Sequence, residues 1–307
     1  MLLSPNILAA MAGLVSCLLF MTAFARGSGM LFLFLPALPL FLIGFWIGKR
    51  ALLLAMLAGL GISIVLNPLG ASAVFLLFVL LPALLFTQQA LLSRPAPETE
   101  DGYDWYPTGL ALTHLVLYTC LLFLIMAMAY AGEDGGLQGL IAQHTESALE
   151  QMDGDLREAM QTLLTARGYA VFAAMGWIWT LLLYAVAAIS NMILKEINKN
   201  IRPSLAVTPF TLPDFMLGLL VLCGVLSLFG SETLVFVGKT LLMTLLLPYF
   251  LYGLSVIHLA SKAWPWRMVF LCMLYLVLLA QLWPALAIAC YAIVQQCIGI
   301  GKRFGKT

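Results

Sequence analysis

Apolar residues form long continuous runs along this chain, a new run begins about every twenty residues, and short polar gaps separate the runs. Continuous runs predict helices, whereas the strands of a membrane barrel alternate apolar and polar positions. A helix needs roughly 20 apolar residues to cross a hydrocarbon layer about 30 Å thick, and it satisfies its own backbone where no water can. The pattern predicts membrane-spanning helices at 7–25, 30–47, 51–67, 72–91, 108–130, 169–193, 212–230 and 234–260.

The final apolar region, 267–300, is longer than one ordinary crossing. Trp283-Pro284 lies near its middle, where a proline interrupts helical hydrogen bonding. Two short helices at 267–283 and 285–300 therefore fit better than one. The chain then makes ten crossings, or eight crossings and a re-entrant hairpin.

Composition supports a membrane location. Hydrophobic residues make up 63% of the 307 residues and charged residues only 9%, with a mean hydropathy of +1.03. A water-soluble domain of this length needs more surface charge. We therefore predict an all-α fold: a single integral membrane domain over 1–307, a polytopic transmembrane helical bundle of about 8–10 membrane helices plus an amphipathic outer helical segment. The net charge of +1 gives no reason to expect a nucleic-acid partner.

Basic residues predict the orientation, because cytoplasmic loops collect Lys and Arg. With the N-terminus inside, 11 of the 15 basic residues are cytoplasmic. The outer segments then hold Arg26, Arg157 and Arg167, and Lys239 lies within a span. We predict a multi-pass protein of a bacterial inner membrane with both termini cytoplasmic. Ala23-Phe24-Ala25 resembles a signal-peptidase site, but residues 1–6 carry no Lys or Arg, which favours a retained first helix.

Two polar segments differ from the other gaps. Residues 93–107 are acidic and rich in proline, which predicts a cytoplasmic linker. Residues 132–168 form an extracytoplasmic amphipathic segment, with leucine and methionine repeating every three or four positions. It is predicted to be a helix lying on the membrane surface or on the bundle as a lid. The alternative is a gate over a cavity.

Lys239 is the most internal ionisable group, about five residues into its span. Its stem can reach the outer interface, or its amine can face the bundle and hold an anionic ligand. Tyr249, Tyr252, Asn191 and His258 are polar groups at or within spans, suited to bonds between helices or to a ligand. With Lys239 they form the predicted ligand-binding set.

The sequence contains no metal triad, nucleophile elbow, P-loop or acid–base carboxylate pair. We therefore predict no catalytic residues, no metal, no cofactor and no enzymatic activity. Ala9 and Gly13 are small residues four positions apart on the first span, a spacing that lets helices approach closely. They serve internal packing or the docking of a partner protein.

Three stretches of the C-terminal half carry a resemblance to a known family. They are Ala188-Ile189-Ser190-Asn191-Met192-Ile193-Leu194, Leu212-Pro213-Asp214-Phe215, and Pro248-Tyr249-Phe250-Leu251-Tyr252-Gly253-Leu254-Ser255-Val256-Ile257-His258. Their order and spacing resemble the YybS-like family of predicted bacterial membrane proteins. Phe215 stands where that family tends to have Trp, and Tyr252 where Gln is usual.

That family is distantly similar to the substrate-binding S components of energy-coupling-factor transporters. The resemblance implies a small solute held within a helical bundle, and docking on a membrane-protein partner through Ala9 and Gly13. The leading hypothesis is therefore small-solute binding or transport. The alternative is a non-transporting scaffold that binds other membrane proteins. Membrane lipids are partners in either case.

Overall fold

The chain folds as an all-α protein. A computed structural model describes residues 4–25, 34–98, 102–132, 139, 154–207, 210–281 and 283–304. Its helices are α1 Pro5–Ala25, α2 Ala37–Ile47, α3 Lys49–Leu66, α4 Leu69–Phe75, α5 Leu81–Ala90, α6 Thr108–Ala129, α7 Gly154–Glu196, α8 Asp214–Leu226, α9 Glu232–Ala260, α10 Arg267–Ala280 and α11 Trp283–Phe304. A π-helical turn at Leu76–Leu80, a 3₁₀ turn at Ser261–Ala263, and strands β1 Ser93–Pro95 and β2 Tyr103–Trp105 are the other described elements.

Six helices among the described residues are long and apolar enough to cross a membrane. They are Pro5–Ala23, Lys49–Leu66, Leu69–Ala90, Thr108–Ala129, Arg167–Glu196 and Glu232–Ala263. The bent pair formed by α10 and α11 adds a seventh candidate. The predicted all-α, polytopic fold class is confirmed.

Two apolar helices are shorter than the sequence predicts. α2 has 11 residues and α8 has 13, so at 1.5 Å per residue they extend roughly 16 Å and 20 Å. Both fall short of a hydrocarbon layer about 30 Å thick. Residues 30–33, where the sequence predicts the second crossing to begin, lie outside the described residues.

Glycine and proline set the breaks between the first helices. Gly48 separates α2 from α3 with a φ of 107°, a conformation that residues with a Cβ rarely adopt. Pro68 follows extended Asn67 and ends α3, because the residue before a proline is biased away from the helical region. Pro82 cannot donate a backbone hydrogen bond, and the π-helical turn ends two residues before it, at Leu80.

The last apolar region is two helices, as the proline predicts. α10 and α11 are bent by 113° across the break. The break lies at Gln281, which is extended at φ −147° and ψ 140°, and not at Pro284. Pro284 is instead the second residue of α11, where a missing N–H removes no intrahelical bond.

The segment 93–107 contains a small antiparallel hairpin. β1 and β2 pair with Ser93 opposite Trp105 and Arg94 opposite Asp104. The Arg94 Nη2 and Asp104 Oδ2 atoms are 2.6 Å apart, and both side chains are largely exposed. Each strand is only three residues long, which is too short for an alternation of apolar and polar residues to predict it. The cytoplasmic location of the segment stays a prediction.

Much of the outer segment 132–168 lies outside the described residues, namely 133–138 and 140–153. Its described second half opens α7, which continues to Glu196 with one non-helical residue, Arg167, at φ −137° and ψ 24°. Asp155, Arg157 and Glu158 are exposed near the start of this helix. The amphipathic character and outer location of the whole segment stay predictions.

The helices group into two compact units. Unit 1 comprises Met1–Leu115 and Trp179–Thr208, and unit 2 comprises Val116–Ile178 and Pro209–Thr307. In unit 1, α1 crosses α3 at backbone contact. A Cβ added to Gly13 would lie 2.0 Å from the Ala55 carbonyl oxygen, and one added to Gly59 would lie 2.8 Å from the Gly13 oxygen. Only glycine allows helices to approach so closely.

Unit 2 is organised around α9. A Cβ on Gly253 would lie 2.7 Å from the carbonyl oxygen of Ile288 on α11. A Cβ on Gly238 would lie 2.7 Å from backbone atoms of Leu226 and Ser227, at the end of α8. The two glycines therefore set the distances from α9 to both neighbouring helices. The Trp177 Nε1 donates to the Met243 carbonyl at 3.0 Å and ties α7 to α9.

Candidate functional site

The predicted ligand-binding residues of unit 2 all lie on α9, but they do not face one point. Tyr249 follows Lys239 by ten residues, a rise of roughly 15 Å. His258 follows Tyr249 by nine residues, which at about 100° per residue places it on the opposite face of the helix. The fifth predicted residue, Asn191, belongs to α7 within unit 1. The sequence could predict that these residues are polar, but not that they point in different directions.

Tyr249 is the most deeply buried of the set. Its side chain is 0% exposed, and its hydroxyl has no hydrogen-bond partner among the described residues. Leaving such a group unpaired costs about 1–3 kcal/mol. The hydroxyl therefore keeps unused hydrogen-bonding capacity among the described residues.

Gln296 on α11 has a similar atom. Its Nε2 donates to the carbonyl oxygens of Leu212 and Pro213, at 3.4 Å and 3.1 Å, just before α8 begins. Its Oε1 is buried and has no partner among the described residues. The amide nitrogen is therefore held by two hydrogen bonds, whereas the amide oxygen accepts none from the described residues. The sequence does not single out Gln296, because nothing in the Gln295-Gln296 pair shows which residue faces the interior.

Tyr249 and Gln296 lie along the same helix contact. The buried face of α11 repeats every three or four residues and leads to Gln296, through Ala285, Ile288, Ala289 and Ala292. Ile288 meets Gly253, while Tyr249, one turn earlier on α9, is in electrostatic range of Cys297, later on α11. The two helices therefore run antiparallel. Tyr249 and Gln296 therefore belong to two helices that pack against each other.

Lys239 is half-buried and faces a protein group. Its Nζ lies 5.3 Å from the centroid of the Tyr169 ring, within unit 2. No carboxylate pairs with it within the described ranges. The neighbouring Thr240 has a buried hydroxyl without a described partner. A cation over a ring is stabilised by about 0.5–2 kcal/mol.

Tyr252 and His258 are held by other side chains. The Tyr252 ring packs edge-on against Phe210 with centroids 5.8 Å apart. The Nε2 of His258 lies 2.9 Å from the Tyr275 hydroxyl and joins the end of α9 to α10. Both residues therefore have structural contacts that account for their positions.

Unit 1 holds the remaining predicted residues. Asn191 is 4% exposed and its Oδ1 has no partner in the described part of the chain. Ala9 is fully buried, and Gly13 is in backbone contact with α3. Ala9 and Gly13 are therefore inaccessible to a partner protein while α1 packs on α3. A docking role for these two residues stays a prediction.

Arg202 is the centre of a polar cluster in unit 1, whereas the sequence predicts it only as one of the cytoplasmic basic residues. The side chain is 5% exposed. Its Nε donates to the Ser204 carbonyl, its Nη1 to those of Ala90 and Tyr106, and its Nη2 to the Thr108 hydroxyl, at 2.7 to 3.0 Å. Burial lowers the pKa of Arg202 to about 10, which leaves it charged at neutral pH. The cluster therefore ties the end of α5 to the start of α6.

Among the described residues, no three His, Cys, Asp or Glu side chains gather as a metal-ligand group. Comparison with known protein families, curated proteins and solved structures finds no match to this chain. The resemblance to the YybS-like family therefore stays a prediction.

Proposed function

We propose that this chain is a membrane protein that binds a small polar solute inside unit 2, between α9 and α11, as a solute-binding or transport-related component. The observation that carries the proposal is the pair of buried, unpartnered atoms on facing helices, the Tyr249 hydroxyl and the Gln296 Oε1. Buried polar atoms in native proteins are almost always paired. A solute bridging the two helices would satisfy both.

The chemistry of the two atoms limits the solute. Gln296 Oε1 only accepts hydrogen bonds, while a tyrosine hydroxyl donates one and accepts others. The solute therefore needs at least one N–H or O–H donor, and an acceptor for the tyrosine proton. Among the α11 side chains that the structure describes, none on the buried face is charged, and an unpaired charge there would be costly. An uncharged hydroxyl or amide compound fits best.

The proposed setting is a bacterial inner membrane with both termini cytoplasmic, supported by the distribution of the 15 basic residues. The alternative is a non-transporting scaffold. It is favoured by Gly61 on α3 and Gly218 on α8, where an added Cβ would meet no atom within 4 Å, because exposed small residues allow another membrane helix to approach.

Native mass spectrometry of the purified protein tests solute binding. The wild type should retain a small uncharged molecule, and Tyr249→Phe should reduce retention at least tenfold, since one hydrogen bond in an apolar site is worth about 1.4 kcal/mol or more. Tyr252→Phe is the matched control, because the ring contact with Phe210 survives the change. Retention of lipids and protein partners alone would favour the scaffold and exclude the proposal.

A stability measurement distinguishes a Tyr249 hydroxyl that bonds a solute from one that bonds nothing. In protein stripped of small molecules, Tyr249→Phe should leave the unfolding midpoint unchanged or raise it, because the change removes an unsatisfied buried group. In protein as purified, the same change should lower the midpoint. Equal effects in both preparations would show that no solute contacts the hydroxyl.

A further inference from the structure

Four exposed cations of unit 1 gather where the ends of three helices meet. We name Lys49, Arg50, Lys195 and Lys199 the basic corner. Lys49 and Arg50 begin α3, and Lys195 lies in the last turn of α7. The Lys199 backbone N–H donates to the Leu194 carbonyl at 2.9 Å, which folds the chain back over the end of α7.

Direct contacts hold the chain after α7 against the turn between α2 and α3. The Ile201 N–H donates to the Phe45 carbonyl at 2.9 Å, and a Cβ on Gly48 would touch the Ile201 side chain at 3.8 Å. The Lys199 Nζ lies 4.3 Å from the centroid of the Trp46 ring. Lys199 therefore lies beside Lys49 and Arg50 although about 150 residues separate them in sequence.

The basic corner has almost no acidic counterpart. The stretches 45–52 and 194–203 contain five basic residues, counting buried Arg202, and one acidic residue, Glu196. None of the four exposed cations forms an ion pair within the described residues. Gly48 precedes α3 and has no side chain to cap it, so the positive end of the helix adds to the lysine and arginine charges instead of being offset. The corner therefore carries a net positive charge.

The position of the basic corner indicates which kind of anion it binds. Lys49 and Glu196 are terminal residues of two helices that are long and apolar enough to cross a membrane, so a bilayer crossed by these helices would present its headgroups beside the cations. Trp46, half-buried beneath Lys199, has the amphipathic ring that is enriched at this level. We propose that the basic corner binds the headgroup of an anionic phospholipid, with Lys49, Arg50 and Lys199 around its phosphate.

Native mass spectrometry in mixed micelles tests the proposal with phosphatidylglycerol and phosphatidylcholine as probes. The wild type should retain phosphatidylglycerol in preference, and Lys49→Gln/Arg50→Gln should weaken that retention by roughly tenfold or more, because each basic residue near a membrane surface contributes appreciably to anionic-lipid binding. Arg157→Gln/Lys262→Gln is the matched control: it removes the same charge from exposed positions of unit 2 and should change little. The unfolding midpoints should be equal, since all four residues are exposed.

Three results would overturn the proposal. The first is equal retention of both lipids by the wild type. The second is an equal loss in the two double variants, which would mean that net charge alone attracts the lipid. The third is displacement of phosphatidylglycerol by inorganic phosphate at matched concentration, which would identify a free phosphate and not a lipid as the ligand. Solute retention at Tyr249 is independent of all three.

Discussion

The Arg202 guanidinium donates to the carbonyl oxygen of Ala90 at 2.8 Å and so joins two residues 112 positions apart. Ala90 is the last residue of α5, where carbonyl groups lack intrahelical donors. Arg202 supplies one of those donors from within the membrane protein itself. Arg202, which the sequence predicts only as one of the cytoplasmic basic residues, is thus part of the interior of unit 1.

We expect Arg202→Met to destabilise the protein by about 3 kcal/mol, because it leaves several buried oxygens unpaired at once. Arg202→Lys should recover only part of that loss, since an ammonium group cannot reproduce the planar fork. Chemical denaturation followed by tryptophan fluorescence measures both. Lys195→Met, an exposed change on the same chain segment, should be nearly silent. A silent Arg202→Met would show that the cluster does not stabilise the fold.

The glycine contact between α1 and α3 gives a second prediction. Gly13→Ala places a Cβ 2.0 Å from the Ala55 carbonyl oxygen, so the helices must separate, at a cost of about 1–3 kcal/mol. Gly61→Ala on the same α3 meets nothing within 4 Å and should stabilise the helix by about 0.5–1 kcal/mol. Unfolding midpoints of the two variants should move in opposite directions. A parallel shift would mean that α1 does not pack here.

A third prediction concerns Lys239. Lys239→Met keeps a flexible stem and removes the cation above Tyr169, so we expect a loss of less than about 1 kcal/mol in stability. Solute retention should be unchanged, because the residue is roughly 15 Å along α9 from Tyr249. Native mass spectrometry and a thermal melt of the same sample measure both. Loss of the retained molecule would move the binding site to Lys239 and make its ligand an anion.

The orientation is a fourth prediction. In a cysteine-free background, Asp155→Cys should react with a membrane-impermeant maleimide added to intact cells, while Lys262→Cys should react only after the membrane is opened. Both native side chains are exposed, so access depends on the membrane alone. Reversed labelling would place both termini outside.

The sequence predicts the helices of this protein better than it predicts its candidate site. A helix that crosses hydrocarbon must be apolar along its length, so apolar runs predict such helices directly. Each predicted crossing has a helix within it. The predicted end of the second crossing, residue 47, coincides with the end of α2, whereas the break in the last apolar region lies at Gln281 and not at Pro284. Tyr249 could be selected as a polar residue in an apolar run. Gln296 could not, because its role depends on the rotation of α11 against α9.

Arg202 shows a second reason for the difference. Its neighbours in sequence, Ile201 and Pro203, give no sign that it turns inward. The four oxygens that it bonds come from residues 90, 106, 108 and 204. Arg202 is buried, unlike the exposed lysines near it in sequence, because those segments meet around it in the folded protein.

The π-helical turn at Leu76–Leu80 bears on how this chain tolerates changes in length. The Leu81 N–H bonds back five residues, to the Leu76 carbonyl, so the turn holds one residue more than an α-helix would. Phe75 before it and Phe86 after it are both fully buried. Deleting one residue inside the turn would convert it to an ordinary α-helical turn, and Phe75 and Phe86 would keep their relative orientation. The same deletion within α3 would rotate half of that helix by about 100°. Natural variation in length should therefore accumulate at this turn and be absent from α3.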